Sequence, residues 1–205
     1  MNVLEILEYE HQLILGVLWV MQARVPAIEA DRPIANESEV VDFCARFIGE
    51  CHCAKEFELF VRLLQKTQSS IFIGPVTSFH TEHDQLCQQT SALTVAWKLK
   101  TTRKPGAGQM VAEHLNAYTN LMRALIKKEN YFYEIVGSVL DDADQLELKG
   151  AFDKRDDEVL GTGGHDHYCR WAHEFTAAHH ELRECSIPQY YRQSAQVEGN
   201  LIKIL

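Results

Sequence analysis

The chain has 205 residues, of which 46% are hydrophobic and 24% charged, and its formal net charge is −9. That length supports one well-buried core needing neither disulfide nor metal to fold, and the composition is ordinary for a globular protein. The acidic balance, with no basic patch interleaved with aromatics, excludes a broad electrostatic nucleic-acid footprint.

Apolar residues at three- and four-residue spacing predict four long amphipathic helices, and no segment shows sustained period-two alternation, so the chain reads as all-α. The first helix carries Leu4, Leu7, His11, Ile14, Leu18 and Gln22 on one face. Its apolar run 13–21 is too short to span a bilayer and follows Glu5, Glu8 and Glu10 rather than a basic stretch. Neither a membrane partner nor a signal peptide is expected, and the expected location is cytoplasmic. A second helix starts after the Pro/Asn/Glu/Ser stretch 33–38, with Val41, Ala45, Ile48, His52, Glu56, Leu59 and Leu63 aligned. The third aligns Val76, Phe79, His83, Leu86, Thr90, Leu93 and Trp97. The fourth follows the Lys-Pro-Gly-Ala-Gly break at 104–108 and aligns Val111, Leu115, Tyr118, Met122, Leu125, Glu129, Phe132 and Val136.

Beyond Gly137 the composition shifts. Residues 141–158 are highly charged and predict a short, largely exposed helix. Gly161-Thr162-Gly163-Gly164 breaks the chain and lacks the Lys-Ser/Thr that would follow in a phosphate loop. A further helix from His165 places Tyr168, Ala172, Phe175, His179 and Leu182 on one side. The histidines at 165, 167, 173, 179 and 180 resemble a metal tract, but no carboxylate–histidine pair shares an apolar face there. A partly exposed capping helix is the better reading. The tail from Ile187, with Tyr190, Tyr191, Val197, Leu201, Ile202, Ile204 and Leu205, is apolar enough to pack on the bundle or on a second subunit, which would make a homodimer. The division is therefore a bundle at 1–140 and a C-terminal helical extension at 141–205.

Six cysteines (Cys44, Cys51, Cys53, Cys87, Cys169, Cys185) show no CxxC spacing and read as reduced, small core residues. Cys51 and Cys53 lie about 100° either side of His52 on an α-helix, so neither should point where its imidazole points. Cys87, one turn beyond His83, is placed to sit behind that residue.

Five metal-capable side chains fall on the four apolar faces: His11, His52, Glu56, His83 and Glu129. Burying carboxylates and imidazoles in a helical core is costly unless something satisfies them, and a shared metal would satisfy all five. His11 and His52 each lie roughly 20 Å from the turn between their helices, so an antiparallel pair sets them side by side. His52 and Glu56 are an i, i+4 pair roughly 6 Å apart on one face. Nitrogen and oxygen donors of this kind suit iron, with manganese or zinc as alternatives.

Glu10-His11, the run Cys51-His52-Cys53-Ala54-Lys55-Glu56-Phe57-Glu58-Leu59-Phe60, Gly74-Pro75-Val76 with Glu82-His83, and the stretch from Tyr118 to Glu129 together resemble the hemerythrin-like (HHE cation-binding) domains. The resemblance spans about residues 1–140. It implies an up-down-up-down four-helix bundle holding a non-haem di-iron centre, with His11, His52, Glu56, His83 and Glu129 as ligands to one or two irons. The fourth-helix motif departs from the family: Leu125 stands where a ligand histidine is usual. Where longer members double the second-helix His and Glu, this chain has Cys53 and Phe57, which should flank the ligand face. His80, three residues before His83, is the candidate to compensate. Tyr118 is expected to pack, and His114 is too far from Glu129 to share its site.

Three functions follow. The first is a protein that binds or senses a small ligand such as O2, NO or peroxide at the metal centre. The second is an iron-dependent oxidoreductase or iron-centre repair protein, and the third a metal-depleted interaction scaffold. No nucleophilic triad or nucleotide motif is present.

Overall fold

The computed structural model describes residues 1–67 and 69–179, and every regular element among them is helical. The apolar tail from Ile187, His180, Leu182 and Cys185 lie outside the described residues.

Helix α1 (Val3–Ala23) starts from a capping box. The Asn2 side chain accepts the Glu5 backbone N–H at 2.9 Å, and the Glu5 carboxylate accepts the Asn2 N–H at 2.7 Å. Its predicted stripe is buried apart from half-exposed Gln22. Its back is buried as well, through Glu10, Leu13, Val17, Val20 and Met21, because the C-terminal helices cover it. A helix apolar on most sides belongs in an interior, which accounts for the 13–21 run. No described helix is long and apolar enough to cross a membrane.

After the short α2 (Val25–Glu29), the second predicted helix departs from its expected form. It begins as α3 (Glu37–Asp42), widens into a π-helical stretch (Phe43–His52), and returns to α-geometry as α4 (Cys53–Thr67). The i→i+5 turn changes which residues face inward. Phe43 and Cys44, Phe47 and Ile48, and Cys51 and His52 are buried, whereas Val41 and Ala45 are only partly so. Phe43 and Phe47 stack at 4.8 Å, and Phe47 meets Tyr168 at 5.7 Å.

Helices α5 (Ser70–Thr101) and α6 (Ala107–Val136) pack along each other. All eight residues of the predicted α6 stripe are buried. The chain enters α6 through Gly106 at φ +76°, a left-handed conformation that favours glycine. Two residues on, Gly108 lies so close to the Ile28 carbonyl and the Asp31 side chain that a Cβ could not fit, and its N–H donates to Asp31 Oδ1 at 2.8 Å.

Helix α7 (Asp142–Leu160) is largely exposed, as its charge suggested, and docks along one side. Asp141 and Asp144 form its capping box, and Leu148 and Phe152 are buried. Asp144 also accepts from Arg62 Nε at 2.6 Å and from Lys66, pinning α7 to α4. Helix α8 (Gly164–Ala177) buries Tyr168, Ala172 and Phe175, the face predicted for it. It lies along α1 on the side away from α6, and α7 contacts both α4 and the π stretch.

Gly108→Ala should lower the unfolding free energy by about 1–3 kcal/mol, the usual cost of overpacking. Gly150→Ala, on an exposed part of α7 with nothing within 4 Å of the added carbon, should raise it by about 0.4–1 kcal/mol. Urea denaturation at constant slope measures both, and equal effects would contradict the packing described at Gly108.

Candidate metal centre

The four long rods bring the five predicted residues into one cluster. His11 comes from α1, His52 from the end of the π stretch, Glu56 from α4, His83 from α5 and Glu129 from α6. His11, His52, Glu56 and Glu129 are each at most 1% exposed, and the His83 side chain is 14% exposed. His11 Nε2 lies 3.2 Å from Glu56 Oε1 and 3.6 Å from Glu129 Oε2. His52 Nε2 lies 3.5 Å from the same Glu56 Oε1. His83 Nε2 lies 2.9 Å from Glu56 Oε2 and 3.5 Å from Glu129 Oε1. Each carboxylate therefore divides its two oxygens, one toward the His11/His52 pair and one toward His83.

The outer nitrogens settle which ring atoms face inward. His11 Nδ1 donates to Asn130 Oδ1 at 2.6 Å, and His52 Nδ1 donates to Glu10 Oε2 at 2.7 Å. Each inward Nε2 of a neutral ring then presents a lone pair to carboxylate oxygens, an arrangement that repels unless a proton or a cation lies between. Holding the outer N–H on a carboxylate or amide is how proteins fix imidazoles for metal binding.

The two carboxylates differ. Burial pushes Glu56 upward, but with no metal between them a protonated His52 and hydrogen bonds donated by protonated His11 and His83 hold it well below its ordinary range. Glu129 is pushed well above its ordinary range, first by burial and then by the neighbouring Glu56 charge. Glu129 Oε1 is buried with no hydrogen-bond partner. Burial alone would depress His83, yet the Glu56 carboxylate raises it. Tyr133 donates its hydroxyl to Glu56 Oε1 and stacks on His11 with ring centroids 5.8 Å apart.

Other expectations separate. His80 is exposed beside Phe57, its ring 6.0 Å from that ring, so it does not join the cluster and cannot replace the histidine missing at Leu125. Leu125 is fully buried, and Tyr118 packs in the core with hydrogen bonds to Cys44 and Thr90. His114 faces Gln89 at 3.3 Å. The histidines of α8 do not converge: His165 reaches Glu10, His173 reaches Tyr9 and His179 reaches Arg24. Phe57 flanks the cluster at 51% exposure, as expected. Cys53 does not flank it: its Sγ groups with donor atoms of Glu56 and His83 within 4.8 Å. Cys51 turns instead to Asp156 at 2.9 Å, and Cys87 is exposed. The five cysteines among the described residues are all free thiols.

A buried network behind the cluster went unrecognised in the sequence. Glu10, fully buried, accepts from His52, from Lys55 Nζ at 2.6 Å and from His165 Nε2 at 2.8 Å. Burial would raise Glu10, but its hydrogen bonds to His165 and His52 hold it well below the usual carboxylate range. Lys55 is also fully buried and pairs with Asp156 at 2.7 Å. Only the burial of α1's back face by α7 and α8 could have revealed these partners. Tyr133 was accessible to sequence reasoning, since it lies four residues beyond Glu129 on α6, whereas Asn130, one residue beyond, was not.

Compared with protein-family models, with curated proteins and with solved structures, the chain matches none of them.

The His165 contact yields a pH dependence. Burial works against its protonation, but hydrogen bonds to Cys169 and Glu10 raise it from 6.5 to about 10. A group raised on folding stabilises fully below its unfolded value and loses that contribution as pH rises through the folded one. In the metal-free protein, the melting temperature should fall between pH 7 and 10 more steeply for wild type than for His165→Gln. Parallel curves would contradict the buried His165–Glu10 pair.

Proposed function

We propose that α1, the π–α4 rod, α5 and α6 form an up-down-up-down, hemerythrin-like four-helix bundle. In this reading the bundle holds a non-haem dinuclear metal centre, with iron as its metal, that binds or senses a small ligand such as O2, NO or peroxide. The observation that carries the reading is the aim of the donors. Three inward imidazole nitrogens meet two buried carboxylates, and one carboxylate oxygen, Glu129 Oε1, lacks a hydrogen-bond partner. Two carboxylates facing three imidazoles in a low-dielectric interior are a set that divalent cations satisfy, and the hydrogen bonds present leave Glu129 Oε1 without a partner.

The donor set would suit a pair of metals, with His11, His52, Glu56 Oε1 and Glu129 Oε2 holding one and His83, Glu56 Oε2 and Glu129 Oε1 the other. Nitrogen and oxygen donors favour iron or manganese over the softer copper(I). Bound iron would supply a redox-active centre with a coordination position for a diatomic molecule or peroxide. The protein's own residues do the remaining work. Asn130 and Glu10 hold two imidazoles in the tautomer that presents Nε2 inward, and Tyr133 donates to the carboxylate oxygen shared by His11 and His52. Leu125, Phe60, Phe79 and Phe132 keep the surroundings dry. The least buried ligand, His83, marks the side from which a small molecule would approach.

Iron retention through gel filtration tests this reading. His52→Ala and Glu56→Ala should each retain less than about a tenth of the wild-type iron, since losing even the hydrogen-bond partner of a ligand costs about 10–100-fold in metal affinity. His167→Ala, exposed on α8, should retain it all. Leu125→His, one turn from Glu129, should slow iron loss to a chelator. Equal losses in His52→Ala and His167→Ala would overturn the placement of the site.

A further inference from the structure

Cys53 occupies a place that an ordinary α-helix would not give it. Residues adjacent on an α-helix diverge by about 100°, which would turn the thiol away from the His52 direction. The π stretch that ends at His52 spreads its residues over a wider turn. At its junction with α4, the Cys53 thiol comes to lie among the cluster's carboxylates. Its Sγ, a Glu56 carboxylate oxygen and a His83 ring nitrogen all fall within 4.8 Å of one another. The Glu56 and Glu129 carboxylates are the nearest charges acting on it, after burial itself.

The two halves of the cluster are unequal without it. One half has two imidazoles and two carboxylate oxygens; the other has a single imidazole, His83, and two carboxylate oxygens. The poorer half also contains the unpartnered Glu129 Oε1, 3.5 Å from His83 Nε2. A fourth donor there would complete a four-coordinate set, and Cys53 is grouped with Glu56 and His83, beside the Glu129 oxygen already counted.

We infer that Cys53 Sγ is the fourth ligand of the His83 half, so that the centre pairs a nitrogen–oxygen subsite with a thiolate-containing one. This inference rests on the metal-centre reading above and specifies its second subsite. In the metal-free protein Cys53 carries a free thiol. Ligation forms the metal–sulfur bond and breaks the S–H bond, and the proton leaves to solvent with no change in oxidation state. A thiolate also changes the selectivity of that half: it favours zinc, cobalt or iron(II) and disfavours magnesium and calcium. The cysteine thus stands in for the histidine that Leu125 lacks, from a different helix.

Cobalt(II) reports the bond directly, since thiolate ligation adds an intense near-ultraviolet charge-transfer band that nitrogen and oxygen ligands do not. The intact chain, reduced and loaded anaerobically, should bind about two cobalt ions and show the band, as a set of four-coordinate sites requires. Cys53→Ser should lose the band and fall to about one tightly held cobalt, while Cys51→Ser and Cys87→Ser keep both. Zinc-loaded wild type needs no substitution: X-ray absorption should show a sulfur scatterer at about 2.3 Å, averaging one for every two zincs. Two bound metals with no band and no sulfur scatterer would overturn the inference and leave the dinuclear reading standing. Persistence of the band in a folded Cys53→Ser protein would also overturn it. Failure of wild type to bind any cobalt or zinc would instead remove the metal centre itself.

Discussion

Two carboxylates buried side by side, facing imidazole nitrogens, set the constraint on which the rest of this molecule depends. Glu56 and Glu129 are each 1% exposed, come from separate helices, and share three histidines between them. A hydrophobic core of similar volume would be at least as stable, because desolvating such charges costs more than their mutual contacts return. Part of that cost is visible in the structure as an unpartnered Glu129 oxygen and a carboxyl held well above its ordinary range by burial and by Glu56.

The helices beyond the four long rods support that arrangement from behind. Helix α8 sends His165 to Glu10, and α7 sends Asp156 to Lys55. Glu10 and Lys55 bond each other, and Glu10 holds His52. The orientation of one inward imidazole is therefore tied to elements far away in sequence. An imidazole fixed through its outer nitrogen loses less freedom when its inner one takes a ligand, which favours a preformed site. The C-terminal helices, read from the sequence as an extension packed on the bundle, cover the back of α1 and complete the polar network beneath it.

Much of this was legible in the chain itself, for a physical reason. Residues that face a core repeat with the helical period whatever their chemistry, so His11, His52, Glu56, His83 and Glu129 stood out as polar groups in apolar stripes. The α6 stripe from Val111 to Val136 is buried at every position predicted for it. What escaped has causes as definite. Glu10, Lys55, Asp156 and His165 are buried by packing between distant helices, which one helix's periodicity does not encode. The π stretch breaks the period itself: Val41 and Ala45 gave way to Phe43 and Phe47, and Cys53 moved from the flank of the site into its company. His80, three residues from His83, shows the opposite error, since proximity on a helix did not bring it inward.

The most direct test is a count. Elemental analysis of the untagged chain, expressed with iron supplied and then reconstituted anaerobically, should find about two irons per chain, as expected for a carboxylate-bridged pair. A chain that retains no iron after reconstitution, while still folded, would show that these five side chains are buried together for some other reason.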